Sequence, residues 1–209
     1  MSTHPCWRLV VPVKRAREAK SRLRPPHGVR RADLAHAMAH DTLAAACAGL
    51  GPHRVVVVTS DASTSETVRR LGAHRVPDPG TGLDAAVAAG LERCRREEPG
   101  GHVAVLLGDL PALRPADLLT ALQECARHTR TVVPDHTGTG TVLLATTGPD
   151  LRPAFGSGSA ARHAAGATRL ELDLPRLRQD VDDRDDLLRA VGLGVGPATR
   201  AVLADADHA

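Results

Sequence analysis

Aromatic residues are almost missing from this 209-residue chain, which has Trp7, Phe155 and no tyrosine. Binding of single-stranded nucleic acid by base stacking needs aromatic platforms, so that class is disfavoured. The core has to be built from Ala, Val and Leu instead. Lysine is nearly as scarce: of 27 basic residues only Lys14 and Lys20 are lysine, and both lie in one short segment ending at Arg22 and Leu23. Ammonium is a compact point charge and guanidinium a planar fork, so an arginine-rich chain that keeps two lysines together marks a place where a point charge meets phosphate. The plainer alternative is a solvated basic loop. The four cysteines, Cys6, Cys47, Cys94 and Cys125, match neither a zinc spacing nor a small disulfide scaffold and read as reduced, mostly packed thiols. No uncharged apolar run reaches eighteen residues, and Met1 to Pro5 are polar, which leads to the expectation of a cytoplasmic protein without membrane contact.

Three common catalytic signatures are also lacking. There is no Gly-x-x-x-x-Gly-Lys-Ser/Thr phosphate loop, no complete Gly-x-Gly-x-x-Gly after a strand, and no Gly-x-Ser-x-Gly elbow. Phosphate-loop ATPases, dinucleotide oxidoreductases and serine hydrolases therefore recede. The net charge is only +3, with acids and bases interspersed, which favours a small anionic ligand at a local basic site over a duplex nucleic acid.

What is present is an alternation of strand-length apolar runs with segments of helical period, the pattern of an α/β domain. Strands are expected at 8–13, 54–59, 73–76, 102–107, 131–134, 140–146 and 168–172, and helices at 29–47, 66–71, 83–96, 116–127, 159–165 and 182–191, followed by a fraying helix from Gly196. No repeat or linker divides the chain, so residues 1–209 read as one domain with a core of about 8–203.

Asp109 is the leading chemical candidate, because it follows an apolar strand expected to be central and open parallel sheets bind ligands beyond the carboxyl ends of their strands. Its competing reading is a turn or capping aspartate. Asp180 and Asp182 flank Val181, which puts both carboxylates on one face of an extended segment and suits an oxygen-seeking divalent ion. The competing reading of Asp182, Asp183, Asp185 and Asp186 is a set of acids favoured at a helix N-terminus, and at least Asp185 and Asp186 are expected to be that. The segments from Thr137 to Thr141 and from Gly156 to Ser159 offer N–H groups and hydroxyls to a phosphate, or are flexible turns. His36 and His40, one turn apart beside Asp41, are expected on a solvated helix face rather than at a metal.

In order, Val11-Pro-Val-Lys14 with Ala19-Lys-Ser-Arg-Leu23, Gly108-Asp-Leu-Pro-Ala-Leu113, Pro134-Asp135 with Gly138-Thr-Gly-Thr141, Phe155-Gly-Ser-Gly-Ser-Ala160 with His163, and Asp180-Val-Asp182 with Asp186-Leu187 resemble the 2-phospho-L-lactate and phosphoenolpyruvate guanylyltransferase family. The resemblance implies a single-domain, three-layer αβα nucleotidyltransferase, glycosyltransferase-A-like and Rossmann-like, with a mostly parallel central sheet. It implies transfer of GMP from GTP to phosphoenolpyruvate or 2-phospho-L-lactate, with release of pyrophosphate, in biosynthesis of the deazaflavin coenzyme F(420). By that resemblance Asp109, Asp180 and Asp182 would hold two magnesium ions (Mg2+), Thr141, Gly156 and Ser159 would receive the acceptor, and Lys14, Lys20 and Arg22 would neutralise the triphosphate. The family's Gly-Leu-Asn segment near the nucleotide appears here as Gly82-Leu-Asp84, where a carboxylate cannot donate as an amide does. The implied partners are small molecules, GTP and a phosphorylated three-carbon acid, and a homodimer is compatible with the pattern. Two rivals stay open: a molybdenum-cofactor or sugar-phosphate nucleotidyltransferase on the same scaffold, and a non-catalytic nucleotide-binding regulator.

Overall fold

The structure is a computed structural model and describes residues 6–14 and 23–204. Seven strands form one mixed sheet: β1 (Trp7–Pro12), β2 (Val55–Val58), β3 (His74–Val76), β4 (His102–Leu106), β5 (Arg130–Pro134), β6 (Thr141–Thr146) and β7 (Thr168–Arg169), in the order β3-β2-β1-β4-β6-β5-β7. The pairs β1/β2, β1/β4, β2/β3 and β5/β7 are parallel, whereas β6 runs antiparallel to both β4 and β5. All four residues of β2 are buried valines, as suits a strand covered on both faces.

Helices cover the sheet on both sides. One face carries α1 (Arg31–Leu50), α2 (Ala62–Leu71), α4 (Pro115–Cys125) and the short α6 (Pro175–Arg178), whose apolar side chains pack with Leu9, Val57, Leu106 and Leu143. The other face carries α3 (Leu83–Glu97), packed on Val10, Val56 and Val105, with α5 (Ser159–Ala164) beside β5 and β6. Helices α7 (Arg184–Leu193) and α8 (Pro197–Ala204) add a smaller cluster with the N-terminal half of α1, around Leu34, Met38, Val181 and Leu187. The result is the expected αβα sandwich. Among the described residues no single helix is long and apolar enough to cross a membrane.

Several local expectations need correction. Helix α2 starts four residues earlier than the apolar period indicates, because the Asp61 side chain accepts the Thr64 N–H and caps it there. Strand β7 keeps only two of the five expected residues. Helix α6 has four residues, too few to leave a helical period in the sequence. His36 and His40 are partly buried rather than solvated: His36 Nε2 lies 3.2 Å from Thr67 Oγ1 on α2, and Asp41 next to His40 is buried.

The strand order reverses between β1 and β4, the switch point at which such sheets open a crevice at their carboxyl edge. Two segments leave that edge side by side, Val13-Lys14 after β1 and Leu107-Gly108-Asp109 after β4. Their closeness explains Gly108. A Cβ there would come within 2.9 Å of Val13 Cγ2 and 3.1 Å of the Pro12 carbonyl oxygen.

Candidate active site

A cleft of about 610 Å3 opens over this switch point, within the range of small-molecule sites. Its floor is Leu107, Gly108 and Asp109. One wall is made by Pro12 to Lys14, by His36 and Met38 of α1, and by Thr64 and Leu83. The lining also includes Asp135, Thr139 to Thr141, the loop Phe155 to Ser159, Asp180 and Asp182.

The position of Asp109 is set by the main chain on either side of it. The Leu110 N–H donates to Thr42 Oγ1 on α1 over 3.0 Å, and the Val181 N–H donates to the Asp109 carbonyl over 3.2 Å. Val181 is fully buried, so the acids on either side of it emerge together at the cleft, as the period-two reading expects. The next turn is rigid. Asp183 Oδ1 accepts the Asp186 N–H, and Asp186 Oδ2 accepts the N–H groups of Asp182 and Asp183 at 3.0 and 3.1 Å, a capping box for α7. Burial pushes the Asp186 carboxyl up, but the Arg189 guanidinium and those two N–H groups outweigh it and hold the group below its ordinary range.

Among the described residues no group of three or more His, Cys, Asp or Glu side chains converges closely enough to hold an ion unaided. Magnesium does not require such a cage, because it is ordinarily held by one or two carboxylates while substrate phosphates and water complete its shell. An all-oxygen donor set spread along a wide cleft fits that habit. Charge points the same way: Asp109, Asp135, Asp180 and Asp182 line the cleft and Lys14 is the ammonium among the described lining residues. A divalent ion between those carboxylates and a polyphosphate would relieve the repulsion of the two anions.

Asp135 is a residue that the sequence reading did not single out. Its buried carboxylate accepts the N–H groups of Thr139 and Gly140, at 3.0 and 2.8 Å, and the Thr137 hydroxyl, so it shapes the turn between β5 and β6. The backbone carbonyls of Pro134 and Asp135 accept from the Arg178 guanidinium, which anchors the turn from α6. A lone Asp before a Thr/Gly-rich turn was the available signal.

The surroundings of Thr141 and Ser159 are built as densely. Thr141 and Ser159 are each 2 % exposed, and the Ser159 hydroxyl donates to Thr141 Oγ1 over 3.1 Å. His163 of α5 lies 2.9 Å from the same oxygen through Nδ1, and its Nε2 accepts the Ala154 N–H at 2.9 Å. Burial chiefly, with the charge of Arg162, pulls the His163 pKa below its usual value despite the opposing charge of Asp84. Arg162 ties the carbonyls of Ala154, Phe155 and Ser157.

Of the sequence-nominated residues, Lys14, Asp109, Thr141, Gly156, Ser159, Asp180 and Asp182 all line this one cleft. Lys20 and Arg22 lie outside the described residues. Gly82 and Asp84 are not among the lining residues, although Leu83 between them is. Asp84 Oδ1 instead accepts the Phe155 N–H over 2.9 Å, which ties α3 to the loop from Phe155 to Ser159. The cysteines take no part. Cys47, Cys94 and Cys125 are buried free thiols whose pKa burial pushes up to about 11, so they stay protonated at neutral pH.

Residues 33–181 match the MobA-like NTP transferase domain. Over 208 residues the chain is 49 % identical to a phosphoenolpyruvate guanylyltransferase of Geodermatophilus obscurus, covering 96 % of this chain and 95 % of that one. It is 48 % identical over 204 residues to the enzyme of the same name from Streptomyces coelicolor, with 95 % and 96 % covered. Among solved structures, a Desulfovibrio desulfuricans protein assigned as a nucleotide-diphospho-sugar transferase superposes with a TM-score of 0.68 at 16 % identity, over 98 % of this chain and 96 % of that one, which speaks to the fold. The chain belongs to the MobA-like NTP transferase family and, within it, groups with the phosphoenolpyruvate guanylyltransferases.

Proposed function

We propose that this chain transfers a guanylyl group from GTP to the phosphate of phosphoenolpyruvate, releasing pyrophosphate and leaving a diphosphate-linked product. The activity named for relatives 42 to 49 % identical over nearly the whole chain supports the reaction. The observation that carries it to this site is the meeting, in one cleft at the sheet's switch point, of Lys14, three carboxylates and the Thr141/Ser159 wall.

In this reading an acceptor phosphate oxygen attacks the α-phosphorus in line, a new P–O bond forms, and the bond to the β-phosphate breaks with its electron pair leaving on pyrophosphate. The nucleophile is already an anion, so no general base is required. Alignment and charge neutralisation carry the rate instead. Lys14 meets the triphosphate, with Lys20 and Arg22 proposed to add to it. Gly82 is proposed to border the nucleotide at the start of α3. Thr141, Gly156 and Ser159 fix the acceptor. Asp109, Asp180 and Asp182 would hold magnesium, which when bound screens the two anions from each other and neutralises the leaving group. We take residues 8–203 as one catalytic domain acting on small molecules in the cytoplasm, within coenzyme F(420) biosynthesis, and place no nucleic acid or membrane among its partners.

The test is to incubate the protein with GTP, magnesium and one acceptor at a time, following pyrophosphate and weighing the product. Phosphoenolpyruvate is expected to support turnover. Preference for 2-phospho-L-lactate or 3-phospho-D-glycerate would reassign the acceptor, and GTP binding without pyrophosphate release under every condition would overturn the reading.

A further inference from the structure

We infer that His163 is a positioning residue that locks the Thr141 hydroxyl as a hydrogen-bond donor aimed into the cleft, where it takes an anionic oxygen of the acceptor. The identity of that acceptor rests on the proposed guanylyl transfer; the hydrogen-bond assignment does not.

The inference follows from counting donors and acceptors. His163 is 6 % exposed and both of its ring nitrogens are engaged. The Ala154 N–H donates to Nε2, and a nitrogen that accepts carries no proton, so the neutral ring holds its proton on Nδ1. Nδ1 therefore donates to Thr141 Oγ1 at 2.9 Å. Ser159 Oγ donates to the same oxygen at 3.1 Å. A hydroxyl oxygen has two lone pairs and one hydrogen, and here both lone pairs are taken. Among the described residues no protein acceptor takes the remaining hydrogen, and both Thr141 and Ser159 face the cleft. The group that completes the network must be an acceptor, which suits a carboxylate or phosphate oxygen and disfavours an ammonium.

The ring is held in that sense from outside the cleft. Phe155 packs edge-on against it, with ring centroids 4.9 Å apart at 71°. The loop that supplies the Ala154 N–H is fastened by Arg162 and by Asp84. A flipped or protonated ring would place an N–H or a C–H against the Ala154 N–H, which the buried setting penalises.

Two measurements test this together. Nitrogen-15 NMR of histidine-labelled protein at pH 7.5, with His163 assigned by its loss in His163→Asn, is expected to show protonated Nδ1 and unprotonated Nε2; the opposite tautomer overturns the inference whatever the protein's activity. Steady-state kinetics on His163→Leu, Thr141→Val and the double variant then read the coupling. Each single change is expected to raise the acceptor KM about tenfold while the GTP KM stays within about twofold, and the double variant should be no worse than Thr141→Val alone. His163→Asn keeps a donor near the Nδ1 position and should recover most of the loss in acceptor KM, at a lower melting temperature because the Ala154 N–H loses its acceptor. Additive penalties, or a parallel rise of both KM values in folded protein, would show that His163 does not act through Thr141. A wild-type protein that transfers nothing to any acceptor would defeat the proposed function and leave the tautomer measurement to decide this inference.

Discussion

Val181 donates its backbone N–H to the carbonyl oxygen of Asp109 over 3.2 Å, joining the segment after β4 to the segment before α7. Val181 itself is buried against Leu34 and Leu187. The carboxylates of Asp109, Asp180 and Asp182 are thus brought to one cleft by main-chain bonding and an apolar anchor, not by attraction for one another. Bringing like charges together has an electrostatic cost, which a bound cation removes.

Asp109→Asn and Asp180→Asn should therefore separate function from stability. Each is expected to lower pyrophosphate release about 100-fold at saturating GTP and to shift the magnesium dependence to higher concentration. Neither should unfold the protein, since asparagine keeps the size and one accepting oxygen of the aspartate. Near-normal turnover in both would defeat the metal-holding role.

Lys14 stands alone among the described lining residues as an ammonium at the cleft, so its loss should fall on the nucleotide. Lys14→Ala is expected to raise the GTP KM about 10- to 100-fold, the range for one charge-assisted hydrogen bond of about 1.5–3 kcal/mol. The acceptor KM should change little. Lys14→Arg should recover only part of the loss, because a planar fork cannot occupy a point-charge position unchanged.

How much of this was legible in the sequence depends on the range of the interaction involved. The apolar run of β4 announced a central strand, and Asp109 could be placed at its carboxyl end because it directly follows that run. The period-two reading of Asp180 and Asp182 also holds, because it is local. Insertion of β6 antiparallel between β4 and β5 was not readable, since partner choice depends on the whole sheet. His36 was misplaced on a solvated face because burial of that face depends on α2 packing beside it. His163 appeared only as part of a motif; its bond to Thr141, 22 residues away, exists only once α5 docks on β6.

Asp41 supplies a stability prediction separate from catalysis. Its buried carboxylate, midway along α1, accepts the N–H groups of Ala198 and Thr199 at 3.0 and 2.8 Å and so caps α8 from a distant part of the chain. The approach is so close that a Cβ on Gly196 would lie 2.4 Å from Asp41 Cγ. Asp41→Ala should cost about 1–2 kcal/mol, as losing a helix cap does, and lower the melting temperature by roughly 2–8 °C. The GTP and acceptor KM values should stay within about twofold, because neither α8 residue lines the cleft.

Asp84 accepts the Phe155 N–H, and that bond says what a substitution should do. Asn keeps a carbonyl oxygen able to accept that N–H, so Asp84→Asn should leave the acceptor KM within about twofold. Asp84→Ala should raise it several-fold by loosening the Phe155 to Ser159 loop. If the alanine variant changes only the GTP KM, the side chain serves the nucleotide rather than the loop.

His163 also sets a pH dependence whose sign is fixed. Burial lowers its folded pKa below the ordinary value of 6.5, whereas the unfolded chain keeps that value. Above pH 6.5 neither state binds the proton and stability is unaffected. As the pH falls below 6.5 the unfolded chain takes up a proton that the folded chain refuses, so stability declines until the folded pKa is reached. The carboxyls held low in the fold, such as Glu66 and Asp186, act in the same direction but only near and below their ordinary values of 4.5 and 3.8. Between pH 6.5 and about 5 the lowered His163 pKa therefore sets the fall. Melting curves across that window should show a smaller fall for His163→Asn than for the unchanged protein, which has eleven histidines. An equal fall in both would mean that the ring is protonated as readily folded as unfolded, and the neutral Nδ1–H form that holds Thr141 would lose its support.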